Sequence, residues 1–161
     1  MDIAQIQSFF FKAMQTGYAV EGIAKTKVAD MPRYKEIRYE DGDFLLVDRW
    51  CVNSDSEKSA GTTTIWYQGK PVWFMSYGGI YPERLIPALK HALRRTYSKA
   101  LFNGGRGESL GDFEAGVFYV NHVETNDFSQ FRGREEIIVR SPGTCIGESR
   151  GYHDYWGMSL L

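Results

Sequence analysis

The sequence predicts a single α+β domain over residues 1–161, in which a curved antiparallel sheet of about six to seven strands is covered by two helices. Three observations predict this class. Two segments carry apolar residues at helical spacing, and several others show strand-like alternation between short turns. No linker, repeat or low-complexity stretch separates them. The elements follow in the order α-ββββ-α-βββ, which lets the helices and the sheet bury their apolar faces against each other.

Two segments have the periodicity of amphipathic helices. The first helix is expected over residues 3–16, where Asp2 and Gln5 form a capping-box pattern at its start. The second lies within residues 82–101. Because proline does not fit a helix interior, Pro87 predicts that the regular helix begins near it.

Two groups of strands are expected. The first is a four-stranded meander whose opening turn is Asp41-Gly42, a dipeptide typical of two-residue hairpins. The second group follows the later helix, and the aromatic C-terminal residues 152–161 are expected to dock on the sheet or on another subunit. The predicted strands are residues 36–40, 44–50, 62–67, 72–77, 114–124, 134–140 and 144–152, with residues 18–34 irregular.

Composition excludes several classes of protein. The chain has 161 residues, 19 Lys and Arg against 20 Asp and Glu, and 15% aromatic residues. This aromatic content argues against disorder, and no apolar run is long enough for a membrane span. The near-neutral net charge argues against direct nucleic-acid binding. The N-terminal residues show no secretion-signal pattern, so we expect a cytoplasmic protein.

The two cysteines give no metal motif. Cys51 and Cys145 are far apart, and neither belongs to a CxxC pair. A zinc site needs more ligands at closer spacing, so we interpret both as buried thiols and expect neither a metal nor a cofactor.

The Gly-rich segment NGGRGESLGD, residues 103–112, is the strongest candidate for an anion-binding loop. Its glycines would let backbone amides converge on an anion, while Arg106 would bind a phosphate or carboxylate through two nitrogens. The loop precedes a strand and lacks GxxxxGK[ST], so it is not a P-loop. The alternative is a crossover loop in which Arg106 pairs with Asp48, Glu135 or another acid. The predicted ligand contacts are Arg106, Gly105, Gly107, Asp48, Trp73 and Tyr77.

Three residues are candidates for acid–base chemistry. Alternation places Asp48 among apolar side chains, where it acts either as a pocket carboxylate or as a structural acid with several donors. Glu135 and Glu136 are adjacent on a strand, so one of them faces inward. His122 and Glu124 share a strand face, as a weak metal or base pair or as a polar edge. The candidates are Asp48, Glu135 and His122.

Several stretches also carry a family resemblance. They are TGYA (16–19), YEDGDFLLVDRW (39–50), GKPVWFMSYGG (69–79), Arg106-Gly107 and FRGREEI (131–137). In this order they resemble the bacterial DUF5680 family, a domain of unknown function, over nearly the whole chain. The resemblance implies an α+β domain, found alone or behind a helix-turn-helix domain, with a sensory or ligand-binding role where that fusion occurs and no known catalytic residues. This chain departs from the pattern in lacking the helix-turn-helix portion and in carrying the polar insert VNSDSEKSAGTTT.

These observations together predict a small-ligand-binding, sensor-like domain rather than an enzyme. The expected ligand is an anionic, flat or partly apolar metabolite or nucleotide. One alternative is a metal-independent hydrolase or lyase that uses Glu135 or Asp48 as acid and base. The other is a protein-interaction or homodimerisation module that uses the aromatic sheet face and the C-terminal tail. No G-x-S-x-G elbow is present, so the sequence favours no nucleophile.

Overall fold

Two helices and nine strands make up the computed structural model, which describes residues 1–17, 19–20, 22–112, 114–141 and 146–161. The helices are α1 (Ile3–Gln15) and α2 (Ile86–Ser98), the latter preceded by a 3₁₀ turn at Glu83–Leu85. The strands are β1 (Thr26–Lys27), β2 (Tyr34–Asp41), β3 (Phe44–Val52), β4 (Lys58–Tyr67), β5 (Lys70–Ile80), β6 (Leu110–Asp112), β7 (Val117–Asp127), β8 (Gln130–Arg140) and β9 (Gly147–Ser159).

All nine strands belong to one antiparallel sheet in the order β1-β2-β3-β4-β5-β9-β8-β7-β6. The α+β class is therefore confirmed, with more strands than predicted. The additional strands are the short β1 and β6 at the sheet edges. Strands of two or three residues are too short for alternation to reveal them.

Both helices begin as the sequence predicts. The Asp2 side chain accepts a hydrogen bond from the Gln5 amide, and the Gln5 side chain accepts one from the Asp2 amide, so the capping box is complete. The second helix has Pro87 in its first turn. Its missing N–H costs nothing there, because the first amides of a helix have no intrahelical partner.

The C-terminal residues form the centre of the sheet. Strand β9 runs from Gly147 to Ser159 and pairs with β5 on one side and β8 on the other. The tail thus docks on the sheet, one of the two outcomes expected from the sequence. Residues 142–145, which include the start of the predicted strand 144–152, lie outside the described residues.

The helices pack on one face of the sheet, here called the inner face. Phe10 of α1 is fully buried, and its ring lies 5.1 Å from the ring of Trp73 on β5. Trp73 stacks in turn on Phe128 and Phe131. This aromatic core ties α1 to β5 and β8. None of the described helices is long and apolar enough to cross a membrane.

Candidate functional site

A cavity of about 770 Å³ opens between α2 and the inner face. Leu89 and Leu93 of α2 line one wall, while Thr63 of β4 and Met75 of β5 line the other. This volume lies within the range of small-molecule sites, about 300–1,000 Å³. The cavity can therefore admit a metabolite-sized ligand.

A buried carboxylate lies in the sheet wall of this cavity. Asp48 Oδ1 accepts hydrogen bonds from Thr63 Oγ1 and from the Tyr77 hydroxyl, each at 2.9 Å. Burial raises the pKa of Asp48, although both hydrogen bonds and the charge of Arg106 oppose that effect. The protein thus holds this acid where its ionised form is disfavoured.

Arg106, which lines the cavity, belongs to a buried ion pair. The Arg106 guanidinium donates to Glu135 Oε1, and the Tyr119 hydroxyl donates to Oε2 at 2.5 Å. Burial raises the pKa of Glu135, but the charge of Arg106 and the contacts with Arg106 and His153 outweigh it and lower the pKa to about 2. Glu135 is therefore ionised at neutral pH. Arg106 also lies over the Tyr77 ring, 5.3 Å from its centre.

His153 connects this pair to the cavity. Its Nε2 lies 3.0 Å from Ser59 Oγ, and its Nδ1 lies 3.3 Å from Glu135 Oε1. The Tyr81 ring packs edge-on against the imidazole, with the ring centres 4.7 Å apart. Burial lowers the pKa of His153 below its ordinary 6.5, with Glu135 opposing and Arg106 reinforcing the shift. The ring is therefore neutral at pH 7.

Three buried polar atoms on this lining have no hydrogen-bond partner within the described residues. They are the Tyr81 hydroxyl oxygen, Arg106 Nε and His153 Nδ1, whose contact with Glu135 has poor hydrogen-bond geometry. All three residues line the cavity. Buried polar atoms in proteins nearly always have partners, so these three are hydrogen-bonding groups whose capacity the described side chains leave unused.

Four cations also line the cavity and form what we call the cationic rim: Lys25, Lys35, Lys90 and Arg94. Two acids, Glu57 and Glu83, lie among them. Burial, with the charges of Lys90 and Lys35, lowers the pKa of Lys25. Like charges held this close create a positive potential that attracts an anion.

The structure brings three of the predicted ligand contacts together. Arg106, Asp48 and Tyr77 all line the cavity. Arg106 also makes the ion pair with Glu135 that was the alternative interpretation of this residue. The arginine is thus a structural partner and a lining group at once.

The glycine loop has a different task from the one expected. The amide of Gly107 donates to the Tyr119 hydroxyl, and the carbonyl of Gly105 accepts from the Tyr97 hydroxyl. The amides of Gly104 and Arg106 are also bonded within the protein. Neither Gly105 nor Gly107 is part of the cavity lining, so the loop positions Arg106 rather than cradling an anion with its amides.

Two other candidates are not part of the cavity lining. Trp73 is fully buried, with its indole N–H donating to the Phe128 carbonyl, so it belongs to the core rather than to the ligand site. His122 is exposed, 3.0 Å from Glu136 on the next strand. The half-buried Cys51 is a free thiol, and Cys145 lies outside the described residues. Within the described part of the chain no three acidic, histidine or cysteine side chains are grouped to hold a metal.

Sequence reasoning missed Ser59, Tyr81 and His153 as partners in one site. His153 had one available signal, since it alternates with Gly151 and Tyr155 in an aromatic segment and therefore faces inward with them. Nothing in the sequence pairs it with Ser59, because that contact depends on β9 lying beside β5.

The comparisons with known proteins identify a family but no function. No curated protein and no solved structure matches the chain significantly. The model of the DUF5680 family, a domain of unknown function, matches residues 52–150. That range is narrower than the resemblance seen in the sequence, and it includes Ser59, Arg106 and Glu135 but neither Asp48 nor His153. Since the match covers more than half of the sequence, the chain belongs to the DUF5680 family.

Proposed function

We propose that this chain is a small-ligand-binding domain whose ligand is an anionic, partly apolar metabolite or nucleotide held between α2 and the inner face. The observation that carries the proposal is the cavity itself, about 770 Å³ in volume, whose lining combines the cationic rim with buried apolar side chains.

The cationic rim supports an anion as the ligand. Its side chains lie where the cavity meets solvent, so they would attract and orient a negative group at the entrance. The deeper walls are largely apolar, with Met75, Leu89 and Leu93 among the buried lining residues. This division favours a ligand whose charged end lies at the rim and whose apolar or aromatic body lies inside.

Glu135 is poorly suited to the acid–base role expected of it as an alternative. It is fully buried, bonded to Arg106 and Tyr119, and not part of the cavity lining. With its pKa at about 2, it has little tendency to take up a proton near neutral pH. Binding therefore has better support than acid–base chemistry by this residue.

The test is a thermal-shift screen against nucleotides, phosphorylated sugars and organic acids. A ligand at about 100 times its Kd adds about 2.7 kcal/mol, which raises Tm by roughly 8 °C for a chain of this length. The diagnostic variant is Lys90→Gln/Arg94→Gln, which removes half of the rim. Its matched control is Arg132→Gln, which removes an exposed cation paired with Glu124 outside the cavity lining.

We expect the stabilisation to shrink in the rim variant, to persist in the control and to weaken as salt is added. Arg106→Ala is unsuitable as the diagnostic variant, because it would leave Glu135 buried without its cation. If every anion in the panel leaves Tm unchanged, or if the rim variant responds like the wild type, the proposal of an anion site is wrong.

A further inference from the structure

We propose that Ser59, His153 and Glu135 form a nucleophilic triad, in which Ser59 attacks a carboxylic ester that carries an anionic group. The proposal rests on the proposed function for one point, namely that the substrate's anionic group lies at the cationic rim. Ser59 and His153 line the same cavity.

The sheet register places the triad in a single row. Ser59 on β4 is opposite Gly79 on β5, Gly79 is opposite His153 on β9, and His153 is opposite Glu135 on β8. Because Gly79 has no side chain, the imidazole can reach across it to Ser59, with Nε2 and Oγ 3.0 Å apart. Groups fixed on adjacent strands hold their mutual geometry better than groups on loops.

Electrostatics selects the tautomer that a general base needs. Glu135 Oε1 lies 3.3 Å from Nδ1 and is ionised, so a lone pair on Nδ1 would face a negative charge. The proton therefore belongs on Nδ1, which leaves the Nε2 lone pair to accept the hydrogen bond of the Ser59 hydroxyl. The order of groups, hydroxyl to imidazole to carboxylate, is that of serine hydrolases, with Nδ1 and the carboxylate 3.3 Å apart but not aligned as a hydrogen bond.

The carboxylate is itself held in place. Arg106 and Tyr119 donate to its two oxygens, so Glu135 keeps its charge and its orientation. Burial keeps His153 neutral and ready to take a proton. The Tyr81 ring packs edge-on against the imidazole and limits its rotation.

The reaction balances with water as the only co-reactant. Ser59 Oγ bonds to the acyl carbon while its proton moves to His153 Nε2. The carbon–oxygen bond to the leaving group then breaks, and the alcohol departs with that proton. Water next gives a proton to Nε2 and its oxygen to the acyl carbon, which releases the acid and returns the proton to Ser59.

The experiment uses a fluorophosphonate probe on the purified chain, with intact-mass and peptide mass spectrometry. The serine oxygen displaces fluoride from phosphorus, so reaction leaves one adduct that can be mapped. We expect a single adduct on Ser59, absent from Ser59→Ala and unchanged in Ser76→Ala. Ser76 lies one position along from Tyr77 on β5 and therefore faces away from the cavity. His153→Gln should slow labelling by about 100-fold or more.

The labelling rate should be constant above pH 7 and fall in acid, as His153 becomes protonated. Absence of an adduct on wild-type Ser59, an adduct that persists in Ser59→Ala, or labelling of His153→Gln at the wild-type rate would each overturn the triad. Because the mapped site in the wild type decides the matter, the result does not depend on how well a variant folds.

The two proposals fail separately. If Ser59→Ala keeps the rim-dependent thermal shift while wild-type Ser59 stays unlabelled, the binding site stands and the triad is wrong. If Ser59 is labelled but no anion stabilises the chain, the triad stands and the anionic substrate is wrong.

Discussion

Replacing Arg106 by methionine should strongly destabilise the fold. The change removes the guanidinium but keeps an unbranched apolar side chain, and it leaves the fully buried carboxylate of Glu135 without its cation. Removing one partner of a buried ion pair costs about 3–5 kcal/mol. An unfolding entropy of about 2.1 cal/mol/K per residue, over 161 residues, amounts to about 0.34 kcal/mol/K. We therefore expect Tm to fall by about 9–15 °C.

The assay is differential scanning calorimetry at pH 7, with Arg132→Met as the matched control. Arg132 pairs with Glu124 on the surface, where such a pair contributes at most about 1 kcal/mol, or about 3 °C in Tm. The double variant Arg106→Leu/Glu135→Leu should recover much of the loss, because it leaves no unpaired charge. A drop of less than about 3 °C for Arg106→Met, or a double variant no more stable than the single one, would refute this reasoning.

Three further predictions concern the same elements. The low pKa of Glu135, about 2 against an ordinary 4.5, gives stability that is present above pH 4.5 and lost as the pH falls toward 2. Measured against pH, Tm should fall over this range in the wild type but not in Arg106→Leu/Glu135→Leu. Asp48→Asn should raise Tm at pH 7, because the amide oxygen still accepts hydrogen bonds from Thr63 and Tyr77 while the unfavourable charge is gone. The gain in Tm should vanish in acid, where Asp48 is protonated. An equal gain at both pH values would contradict the raised pKa of Asp48. Deleting residues 152–161 should abolish folding, seen as loss of near-ultraviolet circular dichroism, because β9 is central; a folded truncated chain would disprove its structural role.

Local sequence signals predicted most of the elements. The capping box at Asp2 and Gln5 and the early proline of the second helix act within one helical turn, so their meaning does not depend on the rest of the chain. The hairpin predicted at Asp41-Gly42 does join β2 to β3, but its two loop residues lie one position later, at Gly42-Asp43. The short edge strands β1 and β6 were missed, because pairing with a neighbour rather than a local pattern defines them.

The candidate site was only partly predictable. The alternation around Asp48 already showed a carboxylate on a mostly apolar strand face, and the structure confirms its burial. The two readings of Arg106 could not be separated, because pairing with Glu135 depends on which strand lies beneath the glycine loop. For the same reason the sequence could not show that Trp73 lies in the core and Tyr77 in the cavity lining, although both are on the same face of β5.

The sequence by itself determined the class of fold and identified Asp48 as a carboxylate on an apolar strand face, because periodicity and turn chemistry are local properties. The tertiary structure decided which other charged groups are buried and which of them meet. Placing β9 between β5 and β8 puts His153 beside Ser59 and Glu135, although their positions in the chain are far apart. Hydrogen bonds and ion pairs act over a few ångströms, so a site assembled from distant strands exists only once the register of the sheet is set.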